Sequence, residues 1–147
     1  MKKILILLTL FNSTLFSFNK EAFKKAIAEI ETGDVVNWSE GRSGEKTQYQ
    51  FIKTTWEQYS DFSFDKLEWY DSKSIKETEL VMNAHVDRML RVFKNSKFKN
   101  EKALKVFSLA LIHNSGEGSF KRLEFKDRHL DYATRVNNLY DLYLNKY

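Results

Sequence analysis

The chain has 147 residues, no cysteine, no proline, 15% aromatic residues and a formal charge of +4. That length makes one domain able to bury a core without staples. The absence of cysteine excludes disulfides, thiol nucleophiles, zinc–thiolate sites and lipidation of a cysteine.

Lys2 and Lys3 precede an apolar run over residues 4–11, and Ser13, Thr14 and Ser17 follow it. This is the n-region, h-region and polar exit of a secretory signal peptide. It is well short of the roughly 20 apolar residues that a membrane-spanning helix needs. Residues 1–17 are expected to be a signal peptide or, if uncleaved, an N-terminal anchor. Residues 18–147 are then an exported domain, in the periplasm or otherwise at the cell envelope. Removing Lys2 and Lys3 takes the charge from +4 to +2. That is too mild, with lysines too dispersed, for a nucleic-acid surface.

The rest reads as one mainly α domain. Asn19 is placed to cap a helix over about 20–31, with Phe23, Ala26, Ile27 and Ile30 on its apolar face. Glu31 lies four residues after Ile27 and joins that face. Glu29 lies four residues after Lys25, on the solvent side. Residues 33–46 hold three of the five glycines, which predicts a loop with at most a small β-hairpin or flap. A second helix is expected over about 48–59. Ser74 and Glu77 have capping-box spacing and open a longer helix to about residue 95, striped by Val86, Met89, Leu90 and Phe93. Asn100 is placed to cap the next helix. Its residues Ala103, Leu104, Phe107, Leu109, Ala110 and Leu111 are apolar almost all round, as in the centre of a bundle. Gly116 and Gly118 end it. The last helix, about 128–145, carries Leu130, Ala133, Val136, Leu139, Tyr140 and Tyr143.

Several residues have both a chemical and a plain structural reading. A carboxyl held against apolar surface has a raised pKa and keeps a proton for transfer, which is one reading of Glu31. The other is a half-buried acid paired with a lysine or arginine. Asn114, in the segment 113–118, could present its amide to a ligand at the head of a cleft or simply belong to a helix C-cap. Tyr132 falls on the apolar side of the last helix, as a core tyrosine would. The histidines at 85, 113 and 129 have no metal-ligand spacing, and no HExxH, GxSxG or P-loop pattern occurs. No metal or cofactor is expected.

In this order, the motifs resemble those of lysozyme-like lytic transglycosylases of the Slt type. Glu31-Thr32-Gly33 is similar to the family's Glu-Ser at a helix end. Tyr49-Gln50-Phe51 with Thr54 and Trp56 is similar to its glutamine segment. The stretch from Leu109 through His113-Asn114-Ser115-Gly116 resembles the Tyr-Asn-Ala-Gly segment that follows a hydrophobic helix. Tyr132-Ala133-Thr134-Arg135-Val136 with Tyr140 matches the last motif in spacing. The resemblance covers about residues 23–140. Thr32 stands for the usual serine, His113 for tyrosine, and Arg128-His129 for the Glu-Thr before Tyr132.

The resemblance implies a lysozyme-like helical fold and cleavage of the MurNAc–GlcNAc β-1,4 bond of peptidoglycan, forming 1,6-anhydro-MurNAc with Glu31 as single acid/base. It implies that Thr32, Tyr49, Gln50, Phe51, His113 and Asn114 line the saccharide groove and that Tyr132 orients Glu31. A hydrolytic lysozyme, with Asp34 or Glu40 as second carboxylate, is an alternative. So is an exported, inactive glycan-binding or assembly protein of the same fold. The expected partners are peptidoglycan strands and an envelope-spanning secretion, pilus, flagellar or conjugation assembly, with the chain itself a monomer.

Overall fold

The computed structural model describes residues 17–33 and 38–144. The leader expected over 1–17 lies outside them but for Ser17, as do Asp34 and Asn145. The described chain is mainly α, in agreement with the sequence pattern. Six α-helices follow one another: α1 Lys20–Thr32, α2 Lys53–Trp56, α3 Ser72–Lys94, α4 Lys105–Ser115, α5 Glu117–Arg122 and α6 Asp127–Leu144. None of the described helices is long and apolar enough to cross a membrane.

Helix α1 begins where Asn19 accepts a hydrogen bond from the Ala22 N–H, and ends at Gly33, whose left-handed φ of 74° closes the last turn onto the carbonyls of Ala28 and Glu29. Phe23, Ala26 and Ile27 are fully buried. Phe18 stacks on Tyr140 with ring centroids 6.0 Å apart, and the Asn19 N–H donates to the Tyr140 hydroxyl at 2.9 Å. The start of α1 is thereby fixed to α6. Helix α6 also packs along α4, which buries Val106 and the run 108–112. The all-round apolar character of α4 thus has the expected consequence: it sits centrally, with α3, α5 and α6 against it.

Five local expectations are corrected. The helix expected over 48–59 shrinks to α2, because Thr47 and Gln50 take positive φ (72° and 49°) and turn the chain so that Lys46 and Phe51 pair as an isolated antiparallel bridge. That bridge is all that forms of a flap among the described residues. Helix α3 is capped by Asp71, whose carboxylate accepts from the Ser74 N–H at 2.7 Å, and Glu77 instead accepts from the Ser60 hydroxyl. Asn100 caps nothing: a single 3-10 turn over Lys102–Leu104 precedes α4, and Leu104 remains 41% exposed. Gly116 does end α4, but Gly118 lies inside α5. Glu29 is not merely solvated either, since the Tyr143 hydroxyl donates to its carboxylate.

One buried polar cluster fixes the loop before α2. Lys24, 4% exposed on α1, pairs with Glu21 and with Glu79 of α3, each at 2.9 Å. The other oxygen of Glu79 accepts from the Tyr49 hydroxyl at 2.7 Å and from the Gln48 amide at 3.1 Å. A buried ammonium needs such partners. Glu79 therefore ties α1, α3 and residues 47–51 together. Glu79→Ala should cost on the order of 2 kcal/mol, since it strands a buried donor and part of a buried charge. Urea unfolding measures this, and a loss below about 0.5 kcal/mol would mean that the cluster is not holding the loop.

Candidate functional site

Glu31 occupies the last turn of α1, where the helix dipole disfavours a negative charge. Its surroundings answer that. Oε1 of Glu31 accepts a hydrogen bond from the Tyr132 hydroxyl at 2.6 Å and lies 3.6 Å from Nε2 of His113. Tyr132 comes from α6 and His113 from the last turn of α4, so three helices converge on one carboxylate. The helical periods explain the convergence. Tyr132 shares its buried stripe with Val136, Tyr140 and Tyr143, and His113 follows the four-residue buried run 109–112.

The imidazole of His113 is packed on three sides. It stacks on Tyr132 (centroids 6.3 Å, planes 22° apart) and meets the edges of Phe51 and His85 at 6.3 and 5.4 Å. Its Nδ1 is buried and has no hydrogen-bond partner among the described residues. His85 faces the Tyr59 hydroxyl through Nδ1 at 3.2 Å. Burial, with His113 and Arg88 nearby, pushes His85 down to about 3, so it is neutral at physiological pH.

The sequence leaves two readings of Glu31, a raised pKa and a half-buried acid paired with a cation, and the structure departs from the first. Burial is the largest influence and does push the carboxyl up. The His113 imidazole, the Tyr132 hydroxyl and the charge of Arg135 together outweigh it, and the net value lies below the ordinary one. Glu31 therefore rests as a carboxylate at neutral pH. Tyr132 is held well above the usual phenol value, first by burial and then by the Glu31 charge, and stays a donor. Because the folded-state pKa of Glu31 is depressed, ionised Glu31 contributes stability above its unfolded-state pKa. That contribution is lost as pH falls through the folded-state value.

Glu31 opens into a cavity of about 700 Å³ walled by the loop 41–52, α2, α3 and the α4–α5 junction. Gln50, Phe51, His113 and Asn114 line it, as expected of groove residues. The Gln50 amide also holds the loop, donating to the Thr47 carbonyl at 3.0 Å and the Ser39 carbonyl at 3.4 Å. A methyl at Gly41 would meet the ends of the Glu45 carboxylate and the Gln50 amide, which would have to shift to admit it. Two predicted groove residues are elsewhere. Tyr49 is 3% exposed and turned to Glu79, and the Thr32 hydroxyl donates to the Ala28 and Gln48 carbonyls. Both position the loop rather than face the cavity.

The structure adds residues that sequence reasoning passed over. His85 lies on the buried stripe of Met82, Val86 and Met89, a signal that could have placed it inward. Glu45, not the exposed Glu40, is the loop acid that lines the cavity, where it accepts from the Ser43 N–H at 2.9 Å. Nothing in the spacing of a glycine-rich loop separates those two acids. Among the described residues no group of three or more His, Cys, Asp or Glu side chains is placed to hold a metal ion.

The arrangement sets a titratable carboxyl, hydrogen-bonded by a phenol and facing an imidazole, in the wall of an open groove. Replacing His113 with Phe should remove the imidazole partner, leave burial dominant and move the Glu31 titration upward. Carboxyl carbon NMR of the two proteins reads this directly, and an unmoved Glu31 midpoint would show that His113 does not govern it. Tyr132→Phe should move Glu31 in the same direction and cost about 2 kcal/mol of stability at neutral pH, the value of a hydrogen bond to a charged group. In the comparisons with protein-family models, curated proteins and solved structures, nothing matches this chain.

Proposed function

We propose that the protein is a peptidoglycan lytic transglycosylase of lysozyme-like fold, with Glu31 as its single acid/base. The observation that carries this reading is the carboxyl of Glu31 at a helix end, bonded to Tyr132 and open to a groove that Gln50, Phe51 and Asn114 also line. These are the residues that the resemblance to the Slt-type family makes functional. The reading also accounts for an acid placed against its own helix dipole.

The chemistry runs in two steps. Protonated Glu31 donates its proton to the glycosidic oxygen as the bond to C1 of N-acetylmuramic acid breaks, releasing a GlcNAc 4-hydroxyl. The Glu31 carboxylate then takes the proton of the muramyl 6-hydroxyl as that oxygen bonds to C1. The product is the 1,6-anhydro sugar, no water is consumed, and Glu31 ends protonated for the next turnover. The empty site holds Glu31 ionised, so binding must favour the acid form. A saccharide filling the cavity displaces the water that solvates the carboxylate, and burial, already the largest influence on this group, gains weight. Tyr132 keeps the carboxyl aimed through both steps.

A second reading rests on Glu45. A hydrolytic lysozyme needs a further carboxylate on the groove, and Glu45 rather than Glu40 is the loop acid that lines it with Glu31; Glu117 lines it too but is held by Arg88 and Lys121. In that reading Glu45 activates a water or stabilises the sugar cation.

The two readings share Glu31. Digestion of purified peptidoglycan should release soluble muropeptides with the parent protein. Glu31→Gln should reduce release by roughly 10²-fold or more, the typical value of a general acid. Glu45→Gln should leave release within about threefold of the parent if Glu31 acts alone, and a loss comparable to that of Glu31→Gln would move the assignment to the lysozyme. Release that is unaffected by Glu31→Gln would remove both.

A further inference from the structure

Beside the Glu31 groove lies a second cavity of about 560 Å³, and the two share a wall made by Arg88 and Glu117. Nε and Nη2 of Arg88 both reach the same Glu117 oxygen, at 3.1 and 2.9 Å. The other Glu117 oxygen takes Lys121 at 2.6 Å. This acid therefore answers two of the four cations on the cavity. Arg91 and Lys97, both exposed on its rim, have no ion-pair partner among the described residues. The floor is apolar: Phe98 and Phe120 pack with ring centroids 6.1 Å apart, and Val92 lies alongside. The cavity thus offers two cations without a carboxylate partner, Lys97 lying 5.3 Å over the Phe98 ring, above an apolar base next to the groove but outside the residues assigned to sugar.

We propose that this cavity binds the acidic peptide branch of the glycan strand whose sugars occupy the Glu31 groove. The inference rests on the transglycosylase reading. A muramyl residue carries, on its lactyl ether, a short peptide bearing carboxylates and alkyl side chains. Carboxylates match Arg91 and Lys97, and alkyl groups match the Phe98–Phe120 floor. Stripped of its peptide, the strand keeps only the lactyl carboxylate beside each muramyl ring and loses the outer carboxylates and the alkyl side chains that could reach this cavity. Arg88 and Glu117 line both cavities, so a branch leaving a sugar in the groove need only cross that ion pair to reach the second one. Continuity with the groove favours the substrate's own branch over a separate acidic protein as occupant.

The test uses the full chain carrying Glu31→Gln, so that strands bind without being cut. Its affinity is measured for soluble glycan strands with their peptides and for the same strands stripped of peptide by an amidase. The peptide-bearing strands should bind about fivefold tighter or more at low salt, an advantage that shrinks as salt rises. Adding Arg91→Glu with Lys97→Glu should abolish the advantage while leaving binding of stripped strands unchanged, which also shows the variant to be folded. The milder pair Arg91→Gln with Lys97→Gln should reduce it partway. Equal affinity for the two kinds of strand overturns the inference and leaves the transglycosylase reading intact. A peptide advantage that survives charge reversal also overturns it, and assigns the basic rim to some other acidic partner. Failure to bind either strand removes the transglycosylase reading, and this inference with it.

Discussion

The Glu31 carboxylate is the constraint on which the rest of the structure depends. It sits at the wrong end of its own helix dipole and is largely withdrawn from water, two conditions that each oppose its charge. The chain meets them with a 2.6 Å hydrogen bond from Tyr132 of α6 and a His113 imidazole 3.6 Å away at the end of α4. Those partners are useful only if α1, α4 and α6 keep their relative positions. The packing of α4 and α1 on α6, with the Phe18–Tyr140 stack at the start of α1, provides that. A protein with no use for an acid at this point would be more stable with an apolar residue there. Polar groups retained against that gradient are the usual mark of a site.

The opposite wall of the groove is positioned by a separate device. Glu79 gathers Lys24, Tyr49 and Gln48, and so holds residues 47–51 in a turn with Thr47 and Gln50 at positive φ. A β-branched residue in that conformation is strained, and it persists because the surroundings over-determine it. What the strain secures is the placement of Gln50 and Phe51 on the cavity while Tyr49, between Gln48 and Gln50 in the chain, points into the core.

Helix periodicity carried most of what was legible beforehand. The cap at Asn19, the four-residue step from Ile27 to Glu31, the largely apolar and central α4 and the tyrosine stripe of α6 each follow from local pattern, and each is found. The step that put Glu31 on the buried side also predicted its ambiguity, a carboxyl half in and half out of the core. What local pattern could not carry was anything decided between elements. The turn at 47–50 has good helix and strand formers alike, and it is Glu79, some thirty residues on, that selects the turn. Tyr49 reads as a groove aromatic because nothing in its neighbourhood announces the Glu79 carboxylate as its partner. The pKa of Glu31 was read from burial alone, which sequence suggests. The imidazole and phenol that reverse its sign arrive from residues 113 and 132, and only the fold brings them together.

The resting charge of Glu31 gives the proposed chemistry a definite shape. A carboxyl that is ionised when empty and neutral when covered ties protonation to occupancy of the groove. His113, where the resembled family has tyrosine, is the departure that faces the Glu31 carboxyl. The most direct measurement of the central claim is the mass of the muropeptides released when the reaction is run in heavy-oxygen water. Intramolecular closure on the muramyl 6-hydroxyl predicts anhydro ends that carry no label. Reducing ends carrying one heavy oxygen would contradict it, and would show that water rather than the sugar's own hydroxyl attacks at C1.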